Sequence, residues 1–85
     1  MFEVVFSRQA EKFYNQADDK LIFKINQAIQ ELSVQPFIGN NIKKLRGYFD
    51  GMYRYRIGDY RIVYSVENSI KIISVIWIGK RKDAY

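Results

Sequence analysis

Residues 52–66, MYRYRIGDYRIVYSV, leave this chain few ways to fold. Ile57 and Tyr60 flank the pair Gly58-Asp59, a two-residue loop opening on glycine, which suits a tight β-hairpin. Pairing outward from that loop sets Arg56 opposite Arg61 and Arg54 opposite Val63. Side chains alternate along a strand, and directly opposed residues share a face. Arg54, Arg56 and Arg61 are therefore expected on one face, with Tyr53, Tyr55, Ile57, Tyr60, Ile62 and Tyr64 on the other as core. Opposed like charges cost a hairpin some tenths of a kcal/mol. A fold tolerates them more readily if an anion sits there, and a phosphate is the obvious anion.

The remaining composition narrows the class. The chain has 85 residues, enough for a single domain (1–85) with one small core, and 48% hydrophobic residues argue against disorder. No apolar run has membrane-spanning length, no signal peptide with a cleavage site is evident, and a cytoplasmic protein without membrane attachment is expected. The sequence holds no Cys and no His, which argues against disulfides, cysteine nucleophiles, histidine bases and metal sites. No metal and no cofactor is expected. Lys plus Arg number 14 against 9 Asp plus Glu, a net charge of +5, which fits an acidic partner, either nucleic acid or protein.

Phe2 to Phe6 reads as a first strand. Ser7 can cap a helix over Arg8–Gln16 with Ala10, Phe13, Tyr14 and Ala17 inward. Asp18 or Asp19 can cap a second helix, where Leu21, Ile25, Ala28, Ile29 and Leu32 form an amphipathic stripe broadened by Ile22. That helix cannot pass Pro36. A short strand over Lys43-Lys44-Leu45-Arg46 and a turn over 47–51 lead into the hairpin. Ile70–Ile78 is apolar on both faces, as in a central strand covered at least in part on each side. Helices followed by hairpin-linked strands predict an α+β domain, two N-terminal helices on a small antiparallel sheet. The first strand should lie at an edge or pair with a non-neighbour.

The tail, Gly79-Lys80-Arg81-Lys82-Asp83-Ala84-Tyr85, places three consecutive basic residues after a strand end and a Tyr at the close. Alternation does not assign Arg81 to a face, because the turn near 67–69 can hold two or three residues and Gly79 can be a bulge. The chain holds seven tyrosines, but hairpin alternation sends Tyr53, Tyr55, Tyr60 and Tyr64 to the core, and Trp77 reads as core too.

Taken in order, Lys44-Leu45-Arg46-Gly47, Tyr53-Arg54-Tyr55-Arg56, Gly58-Asp59-Tyr60-Arg61-Ile62-Val63-Tyr64 and Ile78-Gly79-Lys80-Arg81-Lys82-Asp83-Ala84-Tyr85 resemble the RelE/ParE superfamily of toxin–antitoxin toxins over essentially the whole chain. The resemblance implies the RelE-like microbial RNase fold. It also implies a toxin neutralised by a cognate antitoxin, acidic in character, that lays a helix or extended segment across it. RelE-type toxins are metal-free endoribonucleases that cut mRNA in the ribosomal A site, whereas ParE-type relatives poison DNA gyrase. The positions that match the RelE-type site are Arg54, Arg56, Arg61, Arg81 and Tyr85. RelE itself carries lysines at the first two.

Metal-free cleavage requires the 2′-hydroxyl to lose a proton as it attacks phosphorus, stabilisation of the charge that builds on the phosphate oxygens, and a proton for the departing 5′-oxygen. Guanidinium groups suit the second task, and Arg61 and Arg81 are assigned to it. Tyr85 is a candidate general base or base-stacking residue. A free tyrosine titrates near about 10, so a base role requires flanking cations such as Arg81 and Lys82. Arginine is effectively never deprotonated, so Arg54 and Arg56 can hold phosphate but are poor proton donors. Lys43, Lys44, Arg46, Lys80 and Lys82 then contact the RNA backbone, although exposed strand cations also discourage edge aggregation. Against the ribosome-bound mRNA nuclease stand a ParE-like gyrase inhibitor, a nonenzymatic nucleic-acid-binding module, and a toxin that keeps only antitoxin binding.

Overall fold

The computed structural model describes residues 1–81. The elements run β1 (Glu3–Phe6), α1 (Arg8–Gln16), α2 (Asp19–Val34), β2 (Ile42–Lys44), a 3-10 turn (Gly47–Phe49), β3 (Tyr53–Ile57), β4 (Tyr60–Glu67) and β5 (Ile72–Lys80). Both helix starts follow from local chemistry. The Ser7 and Asp18 side chains accept hydrogen bonds from the amides of Ala10 and Leu21, satisfying donors that a helix start leaves open. α2 stops at Val34 ahead of Pro36.

The sheet has five strands in the order β1-β5-β4-β3-β2. Four strands, β2 to β5, are antiparallel, as turn-linked strands must be, but β1 joins β5 in parallel. The sheet is therefore mixed, not wholly antiparallel. The two helices carry the chain from the end of β1 to the far edge of the sheet, so no tight turn imposes the antiparallel sense on β1. β1 is an edge strand paired with a non-neighbour, and β5 is interior.

β1 ends at Phe6, opposite Val75, while β5 runs on to Lys80. Side chains of the α1 start continue the ladder there. Ser7 Oγ donates to the Ile76 carbonyl at 2.7 Å. The Gln9 amide donates to the Ile78 carbonyl at 2.8 Å and accepts from the Ile78 amide at 3.0 Å. This satisfies backbone groups that would otherwise be left open at an edge.

Both helices cover one face of the sheet. Ala10, Ile25, Ala28 and Leu32 meet Tyr55, Ile57, Ile62, Tyr64, Ile73, Val75 and Ile78 in one buried cluster. Tyr53 and Tyr60 pack at its margin, as hairpin alternation requires. Tyr53 stacks on Tyr64 at 5.6 Å, and Phe37 bridges Tyr53 and Phe2 edge-on. Tyr64 is fully buried, and its hydroxyl donates to the Pro36 carbonyl at 2.7 Å, pinning the chain after α2 to the centre of the sheet. The Tyr55 hydroxyl donates to Glu31.

Burial raises the pKa of both phenols, and for Tyr55 the Glu31 carboxylate raises it further. A phenol whose folded pKa lies above its unfolded value leaves stability intact below about pH 10 and weakens it as pH rises beyond. Tyr64→Phe is expected to cost about 1–3 kcal/mol, since it strands the Pro36 carbonyl, and to flatten the alkaline loss. Urea denaturation of both proteins at neutral pH and above pH 10 measures the two effects together.

A cationic sheet face as the candidate functional site

The face turned away from the helices carries the cations. Across it, Arg56 pairs with Arg61 and Arg61 with Gly79, one row over three strands. The next row runs Lys43, Arg54, Val63 and Trp77 across β2 to β5. Hairpin strands of this sequence can hold such a row because their other face is a continuous tyrosine and isoleucine core. Six residues further along β4, Glu67 lies opposite Ile72, which lies opposite Glu3. The open face is thus cationic at the Gly58-Asp59 end and acidic roughly 20 Å away.

Arg61 and Arg54 are half-buried, which fixes their stems, while Arg56 is exposed. The Arg54 guanidinium donates to the Asn41 carbonyl at 2.8 Å, and the same carbonyl takes the Arg56 amide at 2.9 Å. Lys43, Leu45, Arg46, Arg54 and Arg61 border a cleft of about 750 Å³. Lys44 borders it too, although its partner Tyr53 places it on the helix side of the pleat. β2 is shorter than the sequence implies. It starts at Ile42 and stops at Lys44, so Leu45 and Arg46 belong to the loop into the 3-10 turn.

Arg81 acquires a position that alternation alone could not give. The register jumps between Val63, opposite Trp77, and Tyr64, opposite Val75, leaving Ile76 as the extra residue. The irregularity is at Ile76, not at Gly79, and the β4–β5 turn holds four residues, 68–71, with Lys71 in the left-handed region at φ 55°. The Arg81 amide then donates to the Asp59 carbonyl at 2.8 Å, placing Arg81 beside the hairpin loop. Arg61, Arg81, Lys80, Tyr60 and Asp59 border a cleft of about 590 Å³. Lys80 pairs with Tyr60 and so alternates toward the helix side. Lys82 and Tyr85, assigned to RNA contact and to proton transfer from the sequence, lie outside the described residues.

Two residues at this face escaped the sequence reading. Asp59 borders the Arg61–Arg81 cleft, and its carbonyl anchors the Arg81 amide. Trp77 is half-buried on the open face, not core, and its indole occupies the space above Gly79. A Cβ added at Gly79 would lie 2.4 Å from the indole Cζ2. The signal for Trp77 was the glycine two places on, which leaves room for a large neighbour on the same face. Among the described residues no group of three or more acidic side chains is gathered to hold a metal ion. No described helix is long and apolar enough to cross a membrane.

A two-helix layer on one side of a five-stranded mixed sheet, with a row of arginines on the bare side, defines the class of small toxins anticipated from the sequence motifs. The model of the ParE toxin family of type II toxin–antitoxin systems matches residues 4–85, and the chain belongs to that family, within the RelE/ParE superfamily. It is 32% identical to the toxin RelE of Mycobacterium tuberculosis strain ATCC 25618 / H37Rv over 65 residues, covering 73% of this chain and 67% of that one. Among solved structures it is similar to a YoeB/ParE toxin from Agrobacterium tumefaciens, with TM-score 0.84 and 25% identity over 94% of this chain and 99% of the other. It is also similar to the RelE of Pyrococcus horikoshii OT3, solved as a RelE–RelB complex, with TM-score 0.82 and 27% identity over 98% of each chain. The protein is a toxin of a type II toxin–antitoxin system of the RelE/ParE type.

The close approach of Trp77 to Gly79 makes a direct test of this face. Gly79→Ala must push the indole off the sheet, at a cost of about 1–3 kcal/mol. Since Trp77 is the single tryptophan, its emission is expected to shift to the red in that variant.

Proposed function

We propose that this toxin is a metal-free endoribonuclease that cleaves mRNA in the ribosomal A site by attack of the 2′-hydroxyl on the adjacent phosphate. The observation that carries the reading is the arginine row. Arg56 and Arg61 face each other on a helix-free surface, Arg54 stands in the next row, and Arg81 is tied to the same hairpin loop. Three guanidinium groups on one bare face, with a fourth beside the hairpin loop, suit the multidentate binding of phosphate oxygens.

In the reaction the O2′–P bond forms and the P–O5′ bond breaks, leaving a 2′,3′-cyclic phosphate and a 5′-hydroxyl. Arg61 and Arg81 stabilise the charge that builds on the non-bridging oxygens, a preorganised contact that strengthens toward the transition state. Arg54, held through Asn41, and Arg56 grip the flanking phosphates. Tyr85 takes the 2′-proton. Tyr55 and Tyr64 are unsuited to that task, since they are buried and their phenols are held protonated. Arginine at positions 54 and 56 supplies charge without proton transfer, so the proton for O5′ comes from solvent or from the ribosome. Lys43, Lys44, Arg46, Lys80 and Lys82 contact the RNA backbone and fix register without reading sequence.

The partner that restrains the toxin is a cognate antitoxin of acidic character, in keeping with the +5 charge of this chain and with the RelE–RelB complex of the Pyrococcus relative. The toxin acts in the cytoplasm, where translating ribosomes are. A second reading, inhibition of DNA gyrase, is favoured by one observation, the match to the ParE family model. It does not require the arginines to act as a unit.

Programmed ribosomes carrying a defined mRNA distinguish the two. Wild type is expected to cut within the A-site codon, and Arg61→Ala and Arg81→Ala to lose about 10²–10³ in rate while remaining folded. Absence of cuts, with inhibition of gyrase supercoiling instead, would replace the nuclease reading with the gyrase one.

A further inference from the structure

The bare face of the sheet carries a large aromatic that neither the arginine chemistry nor the helix-side core uses. The Trp77 indole lies along β5 over Gly79, and Gly79 is the direct cross-strand partner of Arg61. One side of the ring is therefore set against backbone, and the phosphate-binding arginine is its lateral neighbour. Val63, the cross-strand partner of Trp77 on the same face, is 1% exposed. The clefts of the face run into one another at this point. Arg61 borders both the Lys43–Arg54 cleft and the Arg81 cleft, so the cationic track crosses the face beside Gly79, the cross-strand partner of Arg61, and the indole that lies over it. A nucleic-acid strand whose phosphates follow the cations is led to the indole.

Single strands are held by a cationic track that follows phosphates together with aromatic rings that accept base faces. From the juxtaposition of Trp77, Gly79 and Arg61 we infer that Trp77 is the stacking platform for one nucleobase next to the phosphate that Arg61 holds. This makes Trp77 a substrate-positioning residue. The site takes the base of a single-stranded ribonucleotide, and pairing in a duplex would hide the face it stacks on. The inference rests on the nuclease reading for the phosphate itself. It adds a contact that acts on binding geometry and carries no proton.

The single tryptophan provides its own probe. The full chain is titrated at low salt with a short 2′-deoxy-substituted RNA that cannot be cleaved, and with the same strand bearing one abasic position stepped along its length. Quenching of Trp77 emission is expected with the intact strand and is lost when the abasic position coincides with the stacked base. Trp77→Leu is expected to weaken binding about 5- to 100-fold, measured by anisotropy of an end-labelled strand, with the salt slope unchanged because no charge is removed. Trp77→Phe, which keeps a ring, is expected to stay within a few-fold of wild type.

The inference is overturned if saturating RNA leaves Trp77 emission unchanged, or if Trp77→Leu binds as wild type does. Loss of binding in Arg61→Ala beside normal binding in Trp77→Leu would remove the platform and leave the arginine reading standing. A wild-type protein that binds none of these strands would remove the platform and leave the nuclease reading to the assay on programmed ribosomes.

Discussion

The working surface depends on the pairing of β3 with β4 around Gly58-Asp59. Once Ile57 faces Tyr60, the pleat leaves no freedom, because Tyr55, Ile62 and Tyr64 must enter the core and Arg54, Arg56 and Arg61 must leave it. A slip of one residue would turn one strand over, burying Arg54 and Arg56 or Arg61 and exposing that strand's core side chains, a loss far larger than the tenths of a kcal/mol spent on setting Arg56 against Arg61. The buried Tyr64 hydroxyl, bonded to the Pro36 carbonyl, and the Tyr53–Tyr64 stack tie this hairpin to the chain leaving α2. The core thus aims the cations through packing on the opposite side of the same strands.

Much of this was legible in the sequence because it is local. The bounds of α1, the Asp18 cap, the stop before Pro36 and the hairpin register follow from residues within a few positions of one another. What could not be read depends on distant partners. The parallel pairing of β1 with β5 joins residues about seventy positions apart, and the helix-side bonds of Ser7 and Gln9 to β5 do the same. Arg81 could not be placed by counting, since the four-residue turn at 68–71 and the extra residue Ile76 each change the alternation. Trp77 reads as core from hydrophobicity alone and proves to lie on the cationic face, because the irregularity at Ile76 decides which way it points. Whether Tyr85 reaches the arginines lies outside the described residues.

The arginines at 54 and 56 bear on the chemistry more than on the fold. Lysine and arginine carry the same charge, yet a guanidinium presents a rigid fork to phosphate oxygens and keeps its proton. A face built from Arg54, Arg56, Arg61 and Arg81 is therefore strong in charge stabilisation and weak in proton transfer. In the nuclease we propose, that division leaves the protons to Tyr85 and the ribosome, and the buried Tyr55 and Tyr64, whose phenols are held protonated, are unsuited to take them.

The most direct measurement of the central claim is the chemistry of the ends left when wild-type protein acts on ribosome-bound mRNA. Attack by the 2′-hydroxyl across an arginine-lined face predicts a 2′,3′-cyclic phosphate on the upstream fragment and a 5′-hydroxyl on the downstream one. A 3′-hydroxyl with a 5′-phosphate, or intact mRNA, would contradict it.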